Sequence, residues 1–219
     1  MNYPSQLFPF PVLITTTLLA VALLGLCIYK VRWRLLDHQA LNAWMGASVL
    51  VMVLWLLKGG LKPGLTFHLL GAGILTLMMG PWLALIALLL VILAVSFTGL
   101  GDFFSVGLNW LVMGAMPVGF VSLALMLARR WLSANIFIYI FVNAFITGGA
   151  SYFASGLTGI GVLALAGAYP TDYLYGEALP VYFLLSWSEA FLTGLVIAIL
   201  VVYRPKWVST FDDARYLNH

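Results

Sequence analysis

Long apolar runs separated by short polar stretches make up most of this chain, and the lengths of those runs define the elements. A hydrocarbon core about 30 Å thick is crossed by about 20 helical residues. Runs of that order lie at residues 10–29, 41–57, 65–79, 81–97, 105–128, 134–153 and 179–203. They predict an all-α integral membrane protein, a bundle of about seven transmembrane helices. The third and fourth runs are short and meet at Gly80-Pro81. Because proline breaks helices, they read as a short broken helical hairpin. Residues 156–168 are too short and too rich in glycine (Gly156, Gly159, Gly161, Gly167) for a span. They are expected to form a re-entrant or outer-surface segment, since irregular backbone at membrane depth survives only against protein or water.

Composition agrees with this pattern. Of 219 residues, 63% are hydrophobic and 8% charged, against about 25% charged in soluble domains. No stretch is left for a soluble domain, so residues 1–219 read as one polytopic membrane domain with a polar cytosolic tail at 204–219. The tail reads as either frayed or a short helix. The single Cys27 excludes an internal disulfide. The first residues carry no basic stretch, so a cleaved signal peptide is not expected.

The positive charges orient the bundle. With the N-terminus outside, Lys30, Arg32, Arg34, Arg129, Arg130, Arg204, Lys206 and Arg215 fall inside, and only Lys58 and Lys62 fall outside. This satisfies the positive-inside rule and puts the C-terminus in the cytoplasm. The net charge of +3 therefore reports topology, and no nucleic-acid partner is expected beside the membrane lipid.

Few residues can carry chemistry. Glu189 is the lone carboxylate of the last run, about 14 Å from Pro180 along a helix and so near mid-membrane. A carboxylate there is an ion or proton site, or a protonated brace between helices. His68 opens the third run on the face that also bears Asp102, and imidazole is the commonest transition-metal ligand. A lone histidine is more often a polar residue anchored at the interface. Gly101, Gly107, Asn109 and Gly114 form a small-residue and amide set around the start of the fifth run, fit for lining a pocket or for gluing helices. Gly59-Gly60-Leu61-Lys62-Pro63-Gly64-Leu65-Thr66 has two glycines at phosphate-loop spacing but Leu65 where the lysine belongs. No nucleotide site is expected, and any energy from ATP would come through another subunit.

Three stretches together resemble the CbiM/NikM family, the substrate-capturing membrane subunits of energy-coupling-factor transporters for cobalt and nickel. They are Phe67-His68-Leu69-Leu70-Gly71 through Leu77-Met78-Met79-Gly80-Pro81-Trp82, then Gly107-Leu108-Asn109-Trp110-Leu111-Val112-Met113-Gly114, then Glu189-Ala190-Phe191-Leu192-Thr193-Gly194 with Tyr203-Arg204-Pro205-Lys206-Trp207. The resemblance implies a non-enzymatic permease with an outward-facing pocket and a transition-metal ion as transported substrate. It also implies a coupling transmembrane subunit and cytosolic ATPase subunits as partners. Ligand candidates are His68, Asp102 and Glu189, with Asn109, Gly107 and Gly101 lining the pocket. Members of that family begin Met-His and take most metal ligands from those two residues, whereas this chain has Asn2. Two other readings stay open: a membrane-embedded metal-binding or redox enzyme, and an assembly factor with a degenerate pocket.

Overall fold

The computed structural model describes residues 2–216, with only the backbone of Leu35. The last three residues of the expected tail lie outside this range. Five helices are long and apolar enough to cross a membrane: α1 (Phe10–Lys30), α2 (His38–Leu56), α5 (Phe103–Trp131), α6 (Ile136–Leu165) and α7 (Thr171–Tyr203). Between them lie a hairpin of β1 (Gly59–Lys62) and β2 (Leu65–Phe67), then α3 (Ala72–Met79) and α4 (Pro81–Phe97). A last turn, α8 (Asp213–Tyr216), ends the described chain. This is an all-α membrane protein with one two-stranded hairpin.

The third apolar run departs from expectation. Residues 65–79 do not form one span: Leu65–Phe67 pairs as a strand, His68 to Gly71 is irregular, and only eight residues are helical. Gly71 adopts φ +66°, and a Cβ there would meet the Val51 side chain at 2.7 Å. The chain therefore turns sharply just before α3. That helix is buried from Ala72 to Met78 against α2, α4, α5, α6 and α7. It breaks at Gly80 and folds back on α4, as the broken hairpin predicted.

Residues 156–168 are likewise not a separate re-entrant segment, because α6 runs helical through Leu165. Its small residues allow close approach rather than breaking the helix. Gly156 lies against Tyr182 of α7, and a Cβ on Gly159 would overlap the hydroxyl of Tyr3.

Each of the three longest helices contains a wide π turn, at Leu111–Ala115, Tyr139–Ile146 and Leu174–Ala178. Two of these precede a proline, Pro117 and Pro180, whose missing N–H interrupts the α ladder. In the third, the Thr147 hydroxyl donates to Val142 O five residues back, at 2.8 Å.

The tail packs back on the bundle. Ser209 N and Thr210 N donate to the Met78 and Leu77 carbonyls, which the end of α3 would otherwise leave without partners. The Thr210 hydroxyl bonds both Leu77 O and Tyr139 Oη, each at 2.6 Å. Phe211 and Tyr216 stack at 5.2 Å, and both meet the Tyr139 ring at 5.0 Å. Arg129 reaches Thr210 O, and Arg215 reaches Arg129 O.

Candidate metal-ion site

At the end of the bundle away from this tail, the N-terminal segment dips between the helices. Tyr3 is fully buried and Phe8 nearly so. The segment is held by side chains acting as backbone substitutes. The Asn109 amide accepts from Tyr3 N at 2.9 Å and donates to Tyr3 O at 3.2 Å, as a neighbouring strand would. Its amino group also reaches Asn2 Oδ1 at 3.3 Å and Ser105 Oγ at 3.0 Å. Asn2 Nδ2 donates to Leu100 O at 2.8 Å.

Asp102 holds the same segment. One carboxylate oxygen accepts from Ser5 N at 2.6 Å, and the other accepts from Phe104 N at 2.9 Å. Partial burial pushes this carboxyl up, but the Ser5 and Phe104 bonds outweigh it and hold it below the usual carboxylate range.

His68 lies in the irregular link between β2 and α3, not in a helix, and is 5% exposed. Its ring packs on Trp55, centroids 4.4 Å apart. Trp55 Nε1 in turn donates to Leu70 O at 3.0 Å. His68 Nδ1 lies 3.1 Å from Leu69 O. A carbonyl can only accept, so this contact places the proton on Nδ1.

Beneath the link sits Glu189, 1% exposed. Its two oxygens accept from Leu70 N at 2.9 Å and Gly71 N at 2.8 Å. The carboxylate thus caps the start of α3, where free N–H groups and the helix dipole favour negative charge.

These pieces enclose a small cavity lined by Asn2, Lys58, His68, Gly101, Asn109 and Met113, among others. It holds ≈ 20 Å³, enough for one ion or water, since a single water needs about 10–15 Å³. Lys58 at its rim donates to Leu100 O at 2.8 Å, and burial lowers its ammonium pKa.

The structure therefore brings His68, Asn109 and Gly101 to one cavity. Asp102 and Glu189 stand outside its lining, bonded to backbone N–H groups. Gly107 instead lies where α5 crosses α1, its Cβ position 2.7 Å from Thr17 Cα. Among the described residues no three His, Cys, Asp or Glu side chains gather as a ligand cluster. Sequence reading missed Lys58, Met113, Trp55 and Tyr3 as parts of the site. The apolar members read as ordinary span residues, and Lys58 read as a topology signal. The only hint was Asn2, visible as a departure from a family pattern.

Comparison with known proteins bears on the fold and the family. The profile of the CbiM family, described as cobalt uptake substrate-specific transmembrane region, matches residues 2–207. No curated protein matches the chain. Among solved structures, a truncated transition metal transporter shares 20% identity and superimposes with a TM-score of 0.81, covering 93% of this chain and 99% of that one. A second transition metal transporter, also 20% identical, gives a TM-score of 0.80 over 91% of this chain and 92% of the other. At that identity the two structures speak to fold alone, while the profile spans nearly the whole sequence. This chain, a multi-pass membrane protein, belongs to the CbiM family of cobalt uptake substrate-specific transmembrane proteins.

Proposed function

We propose that the protein is the substrate-binding membrane subunit of a metal uptake permease, taking one transition-metal ion into the cavity beside His68. The observation that supports this most is a one-ion cavity built from distant stretches of chain around a buried imidazole. Asn2 and Met113 are among the other residues that line it. Asp102 fixes the N-terminal segment, and Glu189 fixes the link that carries His68. In this reading the cavity faces outside and the tail faces the cytoplasm, which follows the distribution of Lys and Arg.

The ion's release is energised elsewhere. A coupling transmembrane subunit and cytosolic ATPases would engage the basic inner end, around Lys30–Arg34 and Arg129-Arg130. Uptake in cells lacking their own metal importers tests this reading. Cells expressing the chain with its coupling module should accumulate metal, and His68→Ala should abolish the gain. Equal accumulation by the His68→Ala variant would show that the cavity is not the capture site.

A further inference from the structure

We propose that a second pocket, beside Lys206 and Trp207 at the tail's end of the bundle, holds one anionic phospholipid. Its phosphate sits on those two side chains, and an acyl chain fills the apolar hollow behind them. The proposal goes beyond the permease reading and is independent of the ion.

The pocket lies at the right level. Lys206, Trp207 and Ser209 follow the end of α7 at Tyr203, and the rest of the lining includes the first turns of α2 and α4 and the last turn of α3. Both α2 and α7 are long and apolar enough to span a membrane. Where one begins and the other ends is therefore the level of the lipid headgroups.

The hollow suits hydrocarbon. It encloses ≈ 80 Å³, several times the about 10–15 Å³ that one water needs. Apart from Lys206, Trp207 and Ser209 its lining is apolar, with Trp44, Met79 and Leu83 among the walls. The Trp44 N–H is already bonded to Leu83 O at 3.1 Å. An apolar hollow of this size takes an apolar guest in preference to water.

The polar side calls for an anion. Trp207 Nε1 is buried and has no hydrogen-bond partner among the described residues. An indole N–H can only donate, and a buried donor without an acceptor is costly. Lys206 is exposed and lines the same pocket, and the Arg204 guanidinium stands 5.9 Å from the Trp207 ring centroid. No carboxylate is among the described lining residues. The occupant must therefore accept hydrogen bonds, carry negative charge and bring hydrocarbon with it. An anionic phospholipid meets all three demands, and basic pockets between spanning helices commonly hold such headgroups. A choline headgroup would instead set a second cation near Lys206.

The test is native mass spectrometry of the full chain, released from bilayers containing equal amounts of phosphatidylglycerol and phosphatidylcholine. One phosphatidylglycerol per chain should be retained, and phosphatidylcholine should not. Lys206→Gln and Trp207→Phe should each cut retention by about tenfold or more, as loss of a charge-assisted or buried hydrogen bond implies. Arg130→Gln removes an exposed charge outside the pocket and should leave retention unchanged. An equal loss in Arg130→Gln would reduce the effect to diffuse attraction and overturn the proposal. If the pocket variants do not fold, the wild type still decides, because equal retention of the two lipids overturns it. Inorganic phosphate should neither displace the lipid nor raise the melting temperature; if it does either, the site takes a free anion and the lipid assignment fails. Loss of the lipid when the chain is purified with its coupling subunit, with Lys206 then cross-linking to that subunit, would assign the pocket to a protein partner and overturn the proposal. None of these readouts involves metal, so their failure leaves the permease reading untouched.

Discussion

Glu189 and Asp102 show how little a carboxylate's place in the sequence says about which atoms it faces. Each was a metal-ligand candidate, and each has both oxygens on backbone N–H groups. For Glu189, replacement by Gln turns one acceptor into a donor against an N–H. With charged hydrogen bonds worth about 1.5–3 kcal/mol, Glu189→Gln should lower stability by about 2–3 kcal/mol, measured by thermal unfolding in detergent. It should also weaken metal binding, because the link bearing His68 loses its anchor. An unchanged melting temperature would contradict the capping role. Asp102 makes a pH prediction. Its folded-state pKa is depressed, so its anchoring of the N-terminal segment is fully present above the ordinary carboxylate value of about 4 and is lost as pH falls through the lower folded value. Hydrogen-exchange protection of the Ser5 amide should stay flat from neutral pH to about 5, then fall below about 4. In Asp102→Asn that protection should be reduced throughout; a wild-type profile matching the variant's would refute the anchor.

α3 is the element on which the two ends of the molecule meet. Glu189 caps its start, and Ser209 and Thr210 cap its end at Met78 and Leu77. Thr210→Ala removes the hydroxyl that bonds Leu77 O and Tyr139 and should cost about 1 kcal/mol, read as a lower melting temperature with the metal affinity nearly intact. A second element-scale prediction concerns the N-terminal segment. Gly159 leaves room for Tyr3, so Gly159→Ala should push that segment out of the bundle. Metal affinity should fall by about tenfold or more while helix content, followed by circular dichroism, stays the same. Preserved affinity would show that residues 2–8 are not part of the site. The broken hairpin at Gly80-Pro81 was legible because proline and glycine act locally. The shortness of α3 was not, since an apolar run at 65–79 reads alike as helix or as strand, link and half-helix. The Gly156–Gly167 stretch misled for a related reason: glycine weakens an isolated helix but favours a packed one, and the partner surfaces, Tyr182 and Tyr3, lie far away in sequence.

At the scale of the whole molecule, sequence alone gave the membrane class, the segregation of basic residues and the stretches that meet at the cavity. Run length and the cost of charge in lipid act on composition, so they survive without coordinates. What stayed hidden was everything set by packing: Asn109 pairing with the Tyr3 backbone, Lys58 at the rim, Met113 in the lining, and the tail closing the far end of α3. The central claim is that the cavity between Asn2, His68 and Met113 captures a transition-metal ion. The most direct check is thermal unfolding of the purified protein with and without copper(I), nickel(II), cobalt(II) or zinc(II), for wild type and His68→Ala. The account predicts that at least one metal, at a hundred times its dissociation constant, stabilises the wild type by about 2.7 kcal/mol and leaves His68→Ala unmoved. Stabilisation of both proteins alike, or of neither, would contradict it.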